Sequence, residues 1–259
     1  MNNVFNASRF GQLFRKQTVE NYRNYLISVV VLFGMLAVFY FLFVLGIDVR
    51  NAEMRKIGLY IFYVLAGCIF TSSIFSDYGQ KRKAISSLTL PTSHFEKFLV
   101  GWMYSFLIYT IIYCLVYAAV DYTFIPFSEA TDKRSLIKLL SDEGFPFSMF
   151  VYFAFLHSMM LYGALYFRSV HFIKTASCIF AFFGILCTYH LWILKALIPY
   201  KVIFTIPLKG GLSFKIDSGV SYNVLLGESQ HLVYTGMVLI GSTLALWTAT
   251  FCLLREKQV

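Results

Sequence analysis

Six long apolar runs, at 25–47, 57–76, 98–120, 148–167, 175–194 and 232–254, decide what this chain can fold into. None of the six contains Asp, Glu, Lys or Arg. Each is about as long as the roughly 20 helical residues needed to cross about 30 Å of hydrocarbon. In lipid a backbone must satisfy its own N–H and C=O groups, which favours helices. A β-barrel needs alternating segments of about ten residues, whereas these runs are continuous. The sequence therefore predicts an all-α polytopic membrane protein of six transmembrane helices.

Composition agrees. Of the 259 residues, 58% are hydrophobic and 14% charged, with mean hydropathy +0.68. A soluble domain is roughly 45–50% apolar and about 25% charged. This excludes a soluble enzyme, a disordered regulator and a secreted disulfide scaffold. The net charge of +9 comes without a helix-turn-helix, zinc-finger spacing or RNP-type strand, so nucleic acid is not an expected partner. Anionic lipid accounts for the charge better. Cys68, Cys114, Cys178, Cys187 and Cys252 all lie in apolar runs without a C-x-x-C pair and read as small hydrophobes.

The even number of spans puts both termini on one side. Segments 1–24, 77–97, 168–174 and 255–259 hold 12 Lys and Arg in 57 residues, against 10 in 73 for 48–56, 121–147 and 195–231. The positive-inside bias favours cytoplasmic ends, N-in/C-in, with 255–259 as a cytoplasmic tail. The first run is not expected to be a cleaved signal, because 24 mostly polar residues precede it and its 23 residues exceed a typical h-region. In residues 1–24, Val4, Phe5, Phe10, Leu13 and Phe14 interleave with Arg9, Arg15, Lys16 and Arg23 at helical spacing. That pattern predicts an amphipathic helix in the headgroup plane, or else a solvated basic flank.

The hydrophilic stretch 77–97 carries the basic triplet Lys81-Arg82-Lys83, then Ile85 and Leu88, then Leu90-Pro91. Pro91 pushes Leu90 out of helical geometry. Ser93 and Glu96 form an S-x-x-E capping box just ahead of the apolar run at Phe98. The local chemistry describes a short helix, a proline turn and a freshly capped helix entering the membrane. The 37-residue stretch 195–231 is the longest loop. Ala196 to Leu208 is apolar enough to dip into the outer interface. Phe214 to Leu226 has the makings of short strands around Asp217-Ser218-Gly219. No tandem repeat or second domain is evident across 25–254.

At Leu88–Gly101 (LTLPTSHFEKFLVG) the chain resembles the permease subunits of ABC-2 type transporters. The layout also resembles theirs: basic amphipathic lead-in, six spans, short inner loops and a long outer loop before the last span. The resemblance implies that residues near 80–90 are a coupling helix docking on a separate ATPase subunit, through Lys81, Arg82, Lys83, Ile85, Leu88, Leu90 and Pro91. It implies that 1–24 is an elbow helix and that 195–231 holds re-entrant external helices. It implies a second permease copy or paralogue as partner and a bacterial cytoplasmic membrane as location. The chain departs from the family pattern in having Gln80 and Lys81–Lys83 where a glutamate and a glycine usually precede the coupling helix, and Gly101-Trp102 where Gly-Lys is frequent.

No G-x-x-x-x-G-K-[ST] phosphate loop occurs, so an ABC-type reading needs ATP and Mg in a partner chain and no cofactor here. The chain is thus expected to be a transport subunit without catalytic residues or metal ligands. No H-E-x-x-H, G-x-S-x-G or paired intramembrane aspartates appear, which argues against an intramembrane hydrolase. His157 and His190 are the ionisable groups at depth apart from Tyr and Cys. His157 reads either as a substrate or proton contact or as a hydrogen-bonded link to a Ser or carbonyl on another helix. Tyr109, Tyr113 and Tyr117 recur every four residues along the third span and read either as a lined pathway or as an interhelical packing stripe. The competing functional class is a non-transporting membrane binding protein, of immunity or sensor-anchor type, acting through its external loops.

Overall fold

The computed structural model describes residues 5–46, 52–79, 93–124, 145–167, 169–197, 201–202, 211–215, 221–225 and 228–256. Among these, six helices are long and apolar enough to cross a membrane. They are α1 (Ala7–Gly46), α2 (Ala52–Gly79), α3 (His94–Phe124), α4 (Phe145–Tyr166), α5 (His171–Leu197) and α6 (Glu228–Glu256). Each predicted run falls on one of them, except for its last residue in two cases: Ile47 lies outside the described residues and Phe167 just past the end of α4. The chain is an integral, multi-pass membrane protein built on a helical bundle.

The lead-in differs from expectation. No break separates residues 7–24 from the run starting at 25: α1 runs continuously for 40 residues, from Ala7 to Gly46. At about 1.5 Å per residue it is about 60 Å long, twice the hydrocarbon thickness. The cause is local. From Gln12 to Phe33 the chain has neither Gly nor Pro, so nothing stops the helix where its composition changes.

Contacts along α3 fix the directions of its neighbours. Phe14 of α1 stacks on Tyr104 and Tyr40 meets Tyr117 edge-on, so α1 runs parallel to α3. Tyr63 of α2 meets Tyr113, while Phe75 abuts Gly101, so α2 is antiparallel to it. Phe153 and His157 of α4 meet Tyr109 and Ser105. Trp247 and Phe251 of α6 meet Trp102 and Phe95. Phe5, Phe95 and Phe251 lie in one chain of ring contacts, which puts the start of α1 and the end of α6 at the same end of the bundle.

Two buried clusters stack along this axis. One joins Leu36, Tyr40, Tyr63, Tyr113, Tyr117 and Phe153; the other, nearer the chain ends, joins Phe75, Val100, Tyr104, Leu161, Leu165 and Leu254. Gly67 allows a close approach of α2 to α3 and α4, since a Cβ there would overlap Phe153 and Tyr109. On α5 only His171, Thr175 and Leu194 are buried among the described side chains, so most of that helix faces outward. Ahead of α5, Val170 has φ of 54°, a left-handed conformation rare for a β-branched residue.

The α5–α6 connection is not helical in its described part. β1 (Lys201–Val202), β2 (Gly211–Lys215) and β3 (Ser221–Leu225) form an antiparallel sheet in the order β1-β2-β3. Phe214 pairs with Tyr222 and Gly211 with Leu225. Strands flanking 217–219 were expected and are present. The re-entrant helices implied for 195–231 are not found among its described residues, which lie in these strands, in the last turn of α5 and in the first turn of α6. The purely helical expectation therefore holds for the membrane-crossing part and gives way in this connection.

Candidate functional site

Three polar layers cross the bundle, all built on α3. The first is at the end shared by the start of α1 and the end of α6. Ser93 caps α3, accepting from the Glu96 N–H at 3.2 Å, while the Ser93 N–H donates to Glu96 Oε2 at 2.9 Å. This is the capping box expected from the S-x-x-E spacing. The same carboxylate does more than cap. Its Oε1 accepts the Asn6 N–H at 2.7 Å and Arg9 Nη2 at 3.2 Å. Glu96 is fully buried, and the neighbouring Lys97 is nearly so. The carboxylate thus ties the start of α1 to the start of α3. Phe14 stacked on Tyr104 at 4.8 Å, and Thr18 hydrogen-bonded to the Tyr104 hydroxyl, extend the seam.

The second layer lies within the bundle, where α3 widens into a π-helical segment, Met103–Ile108. Such one-turn insertions are frequent at functional sites. Ser105, in this segment, lies 2.8 Å from Nε2 of the fully buried His157. The Ser105 hydroxyl is also 2.8 Å from the Gly101 carbonyl, which can only accept. Having a single proton, Ser105 donates to Gly101 and accepts from His157 Nε2–H. His157 is therefore held across helices by a serine, the second of the two arrangements read from sequence. Phe106, Phe153 and Trp247 surround its ring at centroid distances of 5.3, 5.8 and 6.2 Å.

The third layer is at the far end. Tyr109 and Tyr113 donate to the backbone carbonyls of Tyr63 and Leu59 on α2, each at 2.7 Å. Tyr40 of α1 bridges the Tyr117 hydroxyl at 2.8 Å and Asp121 Oδ1 at 2.7 Å. Tyr113, Tyr117 and Asp121 are buried, and the tyrosine hydroxyls are engaged in holding α1 and α2 against α3.

Several of these groups escaped the sequence reading. Placing the third span at 98–120 left Glu96 and Asp121 just outside it, whereas α3 extends to His94–Phe124 and buries both. The expectation that this span is free of acidic groups is corrected accordingly. Tyr40, Ser105, Trp102 and Trp247 carried no linear signal, because their partners lie far along the chain. The residues assigned to partner coupling, Lys81, Arg82, Lys83, Ile85, Leu88, Leu90 and Pro91, lie outside the described residues. No group of three His, Cys, Asp or Glu able to hold a metal occurs among the described residues.

Comparison with protein-family models, curated proteins and solved structures yields no match to this chain. The likeness to ABC-2 permeases thus rests on Leu88–Gly101 and the layout alone.

Proposed function

We propose that this chain is the membrane permease subunit of an ABC-2-like exporter, driven by a separate ATPase subunit that docks on the 77–97 loop. Two copies, or one copy and a paralogue, form the passage in a bacterial cytoplasmic membrane with both chain ends inside. The observation that supports this reading most is the Glu96 tie. The loop 77–97 ends at a residue bound at once to Ser93 and to the first residues of α1. A displacement of the loop would therefore act on α1 and α3 together, as rigid-body alternating access needs. ATP and Mg belong to the partner, and this chain moves in response.

The test is isolation of the tagged chain in mild detergent. A Walker-motif ATPase should accompany it, and charge reversal at Lys81, Arg82 and Lys83 should abolish that association. A chain that purifies without any ATPase, from cells in which it is active, contradicts the proposal. The second reading, a binding protein acting through its outer loops, draws support from the ordered three-stranded sheet at 201–225. It predicts that deleting β2 and β3 abolishes function while the charge reversal does not.

A further inference from the structure

Around His157 the hydrogen-bonding count does not close. With Nε2–H given to Ser105, the lone pair on Nδ1 is left, and Nδ1 is buried without a partner among the described residues. Nε1 of Trp102 and Nε1 of Trp247 are likewise buried and unpartnered. The two indoles are in edge contact at 5.3 Å between centroids, and Trp247 is 6.2 Å from the imidazole. One unmet acceptor and two unmet donors thus belong to three rings joined through Trp247, beside the π-helical segment, inside a bundle that lipid surrounds. Buried polar groups are nearly always satisfied, and three exceptions on neighbouring rings call for an explanation, of which a bound hydrogen-bonding partner is one. A hydroxyl group offers one donor and two lone pairs, the complement of this set. Phe106 and Phe153 complete an apolar surround that suits a neutral guest and not an ion.

We propose that His157, Trp102 and Trp247 form an intramembrane binding site for a neutral hydroxyl group, between α3, α4 and α6. The hydroxyl donates to His157 Nδ1 and accepts from the two indole N–H groups. It comes either from a trapped water or from an amphiphilic alcohol carried in the bilayer. This site does not involve the 77–97 loop, so it stands or falls apart from the permease reading.

The test uses intrinsic fluorescence of the full chain in nanodiscs, without any partner. The protein has 3 tryptophans, and Trp192 faces outward at 68% exposure, so Trp192→Phe leaves Trp102 and Trp247 as reporters. The probes are 1-decanol, decane as the chain without a hydroxyl, and transfer from H2O to D2O. An amphiphile site gives a saturable emission change with decanol, none with decane, and at least a tenfold weaker response in His157→Phe. A water site gives no alcohol response but a D2O-dependent rise in emission that His157→Phe removes. Should His157→Phe fail to fold, Trp247→Phe serves, with Trp102 as the remaining reporter. A decanol response that survives both variants, or emission indifferent to decanol and D2O alike, overturns the proposal.

Discussion

Replacing Glu96 by Ala removes the acceptor for three donors at once. The Arg9 contribution is small, because that side chain is 34% exposed and the pair is screened. The Asn6 and Ser93 backbone N–H groups matter more, since both lose a partner at a part-buried site. Each such orphan costs about 1–3 kcal/mol. Water reaches part of the site, so about 3 kcal/mol for the pair is a reasonable total. At 1.36 kcal/mol per tenfold, this raises local opening of the α1 start roughly a hundredfold. Hydrogen exchange read by mass spectrometry on a peptide covering residues 6–14 measures that opening. Glu96→Ala should cost that peptide about two decades of protection, while a peptide from the middle of α6 stays unchanged. Unaltered exchange in the N-terminal peptide would refute the tie, and with it the proposed mechanical route from the 77–97 loop to α1.

Tyr40→Phe removes the hydroxyl that donates to Asp121 and is hydrogen-bonded to Tyr117, and should cost about 1 kcal/mol, seen as a lower Tm in detergent. Gly67→Ala drives a methyl into Phe153 and Tyr109 and should cost about 1–3 kcal/mol by the same melt; Gly34→Ala, with open space around its Cα, should be neutral. Val170→Asn relieves a left-handed valine, exposed enough to lose no packing, and should raise stability by about 1 kcal/mol.

The spans were legible because a helix in lipid must be continuous and apolar, and both properties are linear. The cap at Ser93 was legible for a related reason: its donor and acceptor are three residues apart. The strands flanking Asp217–Gly219 also follow from a local turn signal. What was not legible is pairing at distance. Tyr40 finds Asp121 across 81 positions, and Ser105 finds His157 across 52. A single acidic residue at the margin of an apolar run reads as its boundary, and only the packed bundle makes Glu96 and Asp121 interior. The continuity of α1 was written in the missing Gly and Pro after Gln12, but the shift from mixed to apolar composition near residue 25 looked like an element boundary. The π-helical turn at Met103–Ile108 has no counterpart in sequence pattern, since its residues fit an ordinary apolar helix.

Sidedness carries the functional account, because the 77–97 loop can receive force from an ATPase only if it faces the compartment that holds ATP. A cysteine-free variant with one new thiol at Gly11, on the exposed start of α1, or at Ser213, on β2, decides this with a membrane-impermeant maleimide on intact cells. The account predicts labelling at Ser213→Cys and none at Gly11→Cys until the cells are opened. Labelling of Gly11→Cys on intact cells, with Ser213→Cys protected, would contradict it.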